Sequence, residues 1–340
     1  MVSLKDIAKE CQVSVATVSK ALNDHADISE ERKKMIREKA EEMGYHPNLF
    51  ARTLKTNRSY NIGVLFTDAE HNGLTHDYFA AVLDSFKVAA EARDYDLTFV
   101  NCGGSGGKRM TYLEHARYRG FDGIMIACVD FSEPEVLQLA LSDIPVVTID
   151  YIFNDRLAVV SDNAKGMEDL FTYIQMGHRR IAYIHGTDSA VTTNRLSSFY
   201  RTAEKLGVEI PDEYVMMTRY RDTKGAGEAT EKLLDLRRPP TCIIYPDDFA
   251  AFGGIHVIRE RGMSIPEDIS IAGYDGIRLA KLTVPNLTTL CQDTQHLGQY
   301  AAEKLIDLIE KPKTAMRNIT IVQGKLYEGQ TVLKLDGSRG

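Results

Sequence analysis

Carboxylates recur in this 340-residue chain at the places where an α/β protein holds its ligands. Thr67 and Asp68 follow the apolar run NIGVLF, Asp150 ends IPVVTID, Asp247 and Asp248 follow CIIYP, and Asp275 ends ISIAGYD. In open α/β sheets small molecules bind beyond the carboxyl ends of the strands. A carboxylate facing such a cleft accepts paired hydrogen bonds from vicinal hydroxyls, which is sugar-like chemistry. Arg195, opening the helical stretch after HGTDSAVTTN, adds a forked donor. Taken singly, each acid reads equally well as the N-cap of the helix that follows its strand.

The other reactive residue types do not assemble into a catalytic or metal-binding set. The nine histidines are scattered, with no HExxH and no His/Cys group at ligand spacing, so neither a metal nor another cofactor is expected. CGGSGGKRM, residues 102–110, looks like a phosphate cradle but fails the count. A P-loop needs Gly where Cys102 stands and Ser or Thr where Arg109 stands. The dinucleotide pattern from Gly104 and Gly106 also needs a glycine at Arg109. Asp247 and Asp248, adjacent at a strand end, point in different directions and make a poor pair for acid–base catalysis. A binding protein is expected, not an enzyme.

A different chemistry is written in VSVATVSKALN, residues 13–23. At helical spacing Val13, Val18, Ala21 and Leu22 face a core, and Val15, Ala16, Ser19 and Lys20 share the other side, small, hydroxylic and basic, with no acid. Such a face fits the DNA major groove: Val15 and Ala16 against thymine methyls, Ser19 on a phosphate or base edge, Lys20 on guanine O6 or N7. The bland alternative is a three-helix packing module whose exposed residues are merely short. The flanks support the groove. SLKDIAKEC, with Ser3 and Asp6 in capping positions, reads as a preceding helix, Gln12-Val13-Ser14 as a turn with Ser14 as N-cap, and the stretch from Ser29 through Met35, Ile36, Ala40 and Met43 to Gly44 as a third helix. Helix, tight turn, helix and supporting helix is the helix-turn-helix plan.

Charge is distributed to match. Residues 1–60 hold 11 Lys and Arg against 9 Asp and Glu, and the other 280 residues hold 30 against 39. From Met43 to Thr67 there is no acid, only Arg52, Lys55 and Arg58. A small basic head on an acidic body suits contact with a polyanion. Five scattered cysteines without a CxxC pair point to free thiols in a reducing cytoplasm. No signal-peptide core follows the N-terminus and no run of eighteen apolar residues occurs, so neither export nor a membrane span is expected.

From Asn61 onward, short apolar runs (NIGVLF, DLTFV, DGIMIA, IPVVTID, RIAYIHG, TCIIYPD, ISIAGYD) alternate with helix-like stretches, the first from about His76 to Arg93. Buried strands alternating with amphipathic helices predict parallel α/β sheets, and the length predicts two similar lobes. Between head and body, HPNLFARTLKTNRS reads as a linker or as a short helix that is marginal by itself, with Ala51, Leu54 and Lys55 on one side.

The order LKDIA, VSVATVSKALN, GYHPN and ARTLK is very similar to the head of the lactose-repressor (LacI/GalR) family of bacterial transcription regulators, and the resemblance runs across essentially the whole chain. It implies an N-terminal all-α helix-turn-helix DNA-binding domain (residues 1–60, hinge helix about 47–57) plus a two-lobed periplasmic-binding-protein-like α/β effector domain. The lobes would be residues 61–160 with 290–318 and residues 161–289 with 319–333, crossing near Val160, Thr289 and Asn318. It implies DNA contacts from Ser14, Val15, Ala16, Thr17, Ser19 and Lys20. Hinge contacts would come from Asn48, Ala51, Arg52 and Leu54, the leucine wedging the minor groove. It aligns Arg195, Asp247 and Asp275 with effector-contacting positions, and less securely Thr67, Asp150 and Thr193; Tyr78 and Phe79 keep the aromatics of the first cleft loop. The function implied is a cytoplasmic, homodimeric regulator, a repressor of a catabolic operon ahead of an activator, that binds a pseudo-palindromic operator and responds to a small-molecule effector, a sugar or sugar derivative, with a non-sugar ligand or a protein partner as the alternative. After Thr331 the chain looks too short for a tetramerisation helix. Three departures stand out: Lys20 where Arg is usual, LTHDYF in the first loop, and RLSSFY without the usual glycine after Arg195. A solute-binding protein would share the clamp but would have no use for residues 1–60.

Overall fold

The computed structural model describes residues 2–45, 53, 56, 58–67, 73–102 and 109–335, and the chain divides into two units, Met1–Ser59 and Tyr60–Gly340. In the head, α1 (Leu4–Glu10) starts at Ser3, whose backbone N–H and hydroxyl donate to the Asp6 carboxylate at 2.8 and 2.7 Å. Gln12, in the left-handed region (φ 51°), turns the chain into α2 (Val15–Leu22), where Ser14 Oγ accepts the Thr17 N–H at 3.0 Å. α3 (Glu30–Glu42) is followed by Gly44 at φ 67°. Ile7, Val18, Ala21 and Ile36 meet in a fully buried centre. The N-cap expected at Ser29 from its residue type is corrected here. Ser29 precedes α3 without a side-chain capping bond, and Met35 is 42% exposed. In so small a unit the inward stripe of α3 is narrow, and Ile36 and Ala40 already fill it.

The body begins as strand–helix alternation: β1 (Asn61–Phe66), α4 (Asp77–Glu91), β2 (Asp96–Phe99), α5 (Tyr112–Arg119), β3 (Gly123–Ala127), α6 (Pro134–Ala140), β4 (Val146–Ile149) and β5 (Leu157–Ser161). The chain crosses at Asp162 into a second lobe made of α7 (Asn163–Ile174), β6 (Ile181–His185), α8 (Ala190–Lys205), β7 (Val215–Met217), α9 (Thr223–Leu234), β8 (Cys242–Ile244), α10 (Asp248–Glu260), β9 (Ser270–Asp275) and β10 (Thr288–Cys291). It returns through Gln292 and Asp293 to α11 (Thr294–Glu310) and β11 (Ile319–Val322), then crosses again through Gln323 and Gly324 to β12 (Lys325–Tyr327).

The first sheet runs β11-β5-β4-β3-β1-β2, all parallel, and the second β12-β10-β9-β8-β6-β7, parallel except that β12 opposes β10. The three crossings lie a few residues beyond the expected Val160, Thr289 and Asn318, because the chain completes each strand's pairing before it leaves the sheet. Thr289 therefore belongs to β10 of the second lobe.

Alternate residues of each strand face opposite helical layers. Ile62, Val64, Met125 and Val147 pack with α4 and α11, while Leu65, Ile124, Ile126 and Val146 pack with α5 and α6. The second sheet repeats the plan between α9 with α10 and α7 with α8. α11 approaches α4 so closely that a Cβ on Gly298 would stand 2.3 Å from the Val82 carbonyl oxygen. Both sheets thus deliver the carboxyl ends of their parallel strands to one cleft.

Candidate DNA-reading face and ligand cleft

In the head, Val18 is buried, Thr17 and Ser19 are half-buried, and Ser14, Val15, Ala16 and Lys20 are exposed on α2. No residue of α2 is acidic. The turn that follows brings one back, however: Lys20 Nζ donates to Asp27 Oδ2 at 2.5 Å, both side chains about half exposed. The reading of a wholly acid-free face is corrected to that extent. A contact seven residues away across a turn leaves no periodic trace. Asn48, Ala51, Arg52 and Leu54 lie outside the described residues, as do Asp68 and residues 103–108 of the glycine-rich loop.

In the body, a cavity of about 660 Å³ opens between the two lobes and is lined by Thr67, Tyr78, Phe79, Asp150, Arg195, Asp247 and Asp275. Thr193 does not reach it. α8 starts at Ala190, so Val191 and Arg195 turn toward the cavity while Thr193 is exposed on the far side. Its neighbour Thr192 is buried instead and holds the Thr187 carbonyl at 2.6 Å. Asp248 is also turned away, accepting the Ile277 N–H at 2.8 Å inside the second lobe. A smaller cavity of about 440 Å³, lined mainly by Phe252, Ile255, Ile265, Val284 and Pro285, lies away from the strand-end carboxylates.

Capping a helix and lining the cavity prove compatible for a strand-end acid. Asp247 caps α10 by accepting the Ala250 N–H at 2.8 Å on Oδ1, and its Oδ2 accepts the Arg221 N–H at 2.7 Å. Asp150 accepts the Tyr78 hydroxyl at 2.5 Å and the Ser161 N–H at 2.8 Å. Asp275 takes the Gln292 amide at 2.6 Å. Burial raises all three carboxyls above the usual range, Asp275 to about 7, with Arg195 opposing and Asp247 adding to the rise. Arg195 is 3% exposed. Its Nε donates to Asn163 Oδ1 at 2.7 Å, its Nη1 to the Pro246 carbonyl at 3.0 Å, and its plane lies 3.5 Å over the Tyr274 ring, leaving Nη2 3.9 Å from Asp275.

Several wall residues carry no sequence signal. Tyr220 bonds Thr192 at 2.9 Å and lies where a Cβ on Gly186 would meet its ring at 2.2 Å. Phe131 and Tyr151 stack at 4.1 Å and 12°, a flat apolar wall suited to a sugar face. Gln292 arrives from a lobe crossing, and its Oε1 is buried without a partner among the described residues. Arg221, in the loop after β7, reaches across to the first lobe, donating to Asp77 Oδ2 and the Thr75 carbonyl at 3.3 Å each. Of the nine non-glycine residues described in left-handed backbone, Cys128, Asp150, Arg221 and Asp275 all line this cavity. Strain concentrated at one cleft is typical of a ligand site.

Comparison with known proteins agrees with this geometry. Residues 3–48 match the family model "Bacterial regulatory proteins, lacI family", and residues 172–332 match "Periplasmic binding protein-like domain". The "Probable HTH-type transcriptional repressor ExuR" of Bacillus subtilis (strain 168) is 32% identical over 323 residues, covering 94% of this chain and 95% of its own. The lac repressor dimer bound to operator and the anti-inducer ONPF superposes with a TM-score of 0.77 at 21% identity, covering 98% of this chain and 99% of that one. A transcriptional regulator CelR–cellobiose complex superposes with a TM-score of 0.69 at 22% identity, covering 97% and 100%.

Proposed function

The chain belongs to the lacI family of bacterial regulatory proteins and is a transcriptional repressor, not an enzyme, and on that premise we propose that a sugar-like effector in the inter-lobe cleft controls its grip on a pseudo-palindromic operator. Residues 1–60 form the DNA-binding part, with Val15, Ala16, Ser19 and Lys20 reading the major groove and Ser14 and Thr17 on the backbone. Asn48, Ala51, Arg52 and Leu54 make the minor-groove hinge contacts. The working form is a homodimer in the cytoplasm, where its DNA is, each copy supplying one α2 to one half-site. The operator-bound lac repressor dimer and the cellobiose-bound CelR support this reading by their likeness in fold.

The observation that carries the proposal is the cavity itself: strand-end carboxylates, one buried guanidinium and stacked aromatics converge at the joint between two lobes. A ligand that bonds both lobes favours one relative orientation. If that orientation sets the spacing of the two heads, effector and operator affinities are linked reciprocally.

Selection of genomic fragments with the purified protein, run with and without pools of sugars, tests this. An enriched palindrome whose occupancy shifts with one pool is the expected result. An enriched palindrome indifferent to every pool would retain the repressor and discard the sugar, and no enriched site would discard the operator reading.

A further inference from the structure

Arg221 is a poorly satisfied polar group of the cleft wall. Its side chain is 11% exposed, its plane rests 3.9 Å over the Phe249 ring, and its own N–H is fastened to Asp247. The guanidinium is therefore packed on α10, whose cap Asp247 also fastens the Arg221 backbone. Its hydrogen bonds are nonetheless poor. Both Nη atoms reach acceptors of the first lobe only at 3.3 Å, against about 2.7–2.9 Å for a good charge-assisted bond. Nε is buried with no acceptor among the described residues. Nε and one Nη together form the fork that a planar carboxylate matches with two parallel bonds.

We propose that Arg221 selects an effector bearing a carboxylate, which docks on the Nε–Nη fork and takes the place of the long contacts to Asp77 and Thr75. This rests on the effector cleft proposed above and narrows its ligand to a sugar acid. A hydroxyl of a neutral sugar can accept from Nε, but it supplies neither the charge nor the two coplanar oxygens that match the fork, so its bonds there are weaker. The charge of the wall favours a single negative charge. Asp130, Asp150, Asp188, Asp247 and Asp275 share the cavity with Arg195, Arg219 and Arg221, five carboxyls to three guanidiniums, so the second charge of a phosphate dianion would meet more repulsion than the single charge of a carboxylate. The other groups of the wall suit the rest of such a ligand: Gln292 Oε1 is an open acceptor for a hydroxyl, and Phe131 on Tyr151 offers a flat face. Asp77, the present partner, is 42% exposed and regains water when released.

The test is calorimetric titration of the full-length protein with D-gluconate, D-glucuronate and D-galacturonate, with glucose and galactose as neutral counterparts and glucose 6-phosphate as the dianion. At least one acid is expected to bind about tenfold or more tightly than its neutral counterpart. Arg221→Gln should abolish that preference while leaving the melting temperature of the fold near that of the parent. Asp77 lies outside the cavity lining, and Asp77→Asn removes only the competing charge, so it should tighten the same acid severalfold. This second variant decides the matter even where Arg221→Gln fails to fold. A neutral sugar or the phosphate binding best would overturn the carboxylate while keeping the cleft. Binding of none of them, with operator binding intact, would overturn it as well and leave the DNA-reading head untouched. Weaker acid binding by Asp77→Asn would show that the contact assists the ligand and would overturn the exchange.

Discussion

The α2 face and the cleft, the two surfaces proposed for recognition, are built in opposite ways. The α2 face takes its candidate contacts from one stretch of seven residues, Ser14 to Lys20, exposed on a helix held by a single cap and a small core. The cleft takes its groups from the ends of seven strands, two helices and a lobe crossing, buries Arg195 and Asp247, and holds four of its residues in left-handed backbone. The difference follows from the partners. A DNA duplex is large and already carries its charge, so a protein meets it with short side chains that remain in water until contact. A small molecule offers few atoms, so the protein surrounds it with preorganised groups whose desolvation is already complete.

If that contrast is right, substitutions at the fully hydrogen-bonded groups of the cleft act first on the fold, and those in the head on affinity. The largest effect is expected at Arg195. Arg195→Ala strips partners from Asn163, the Pro246 carbonyl and Asp275 in a buried site, and should cost about 3–5 kcal/mol of body stability by urea denaturation. A loss below about 1 kcal/mol would mean that the buried network is not what holds the cleft.

Next comes a pH effect from Asp275, whose carboxyl rises from 3.8 to about 7 on folding. The native state binds this proton where the unfolded chain has released it, so stability falls as pH rises from about 4 to 7 and is level above. Asp275→Asn should remove that slope, by a few kcal/mol at most, when melting curves of parent and variant are compared across this range. A variant that keeps the slope would assign it to Asp150, Asp247 or Asp248, which burial also raises.

In the head, Lys20→Ala should weaken operator binding by about 1–3 kcal/mol and relax base preference at one position per half-site, without lowering the melting temperature. Unchanged base profiles would remove Lys20 from the reading set. The smallest effect is expected for Asp27→Ala. On the proposed reading Lys20 shares its ammonium between Asp27 and DNA, so freeing it should tighten operator binding by less than about 1 kcal/mol. The gain should vanish in a Lys20→Ala background; a gain that persists there would show Asp27 acting through general repulsion of phosphate.

Much of this architecture is legible without coordinates. Strands β1, β3, β4, β6, β8 and β9 coincide with apolar runs bounded by turn residues, because a strand buried on both faces needs a continuous apolar segment. The edge strands β7, β11 and β12 are half-exposed and only three or four residues long, and their composition does not separate them from loops. Strand-end acids mark the cleft for the same reason that they cap helices: in a parallel sheet the strand's carboxyl end and the next helix's N-terminus coincide, as at Asp247. Whether such a residue faces the cavity or turns away, as Asp248 and Thr193 do, depends on one residue of helical rotation.

Local pattern thus carries what local physics controls. The caps at Ser3 and Ser14, the small face of α2, the alternation of strand and helix, and the placing of acids at strand ends each depend on residues within a turn or two of one another. Contacts between distant segments carry no such pattern. Asp27 on Lys20, Gln292 on Asp275, Tyr220 against Gly186 and Arg221 reaching Asp77 each depend on where the backbone brings separate loops. Burial and strain at Asp275 likewise come from the packing of two lobes around it. Periodicity records which face of an element is wet; it does not record which other element lies across the gap.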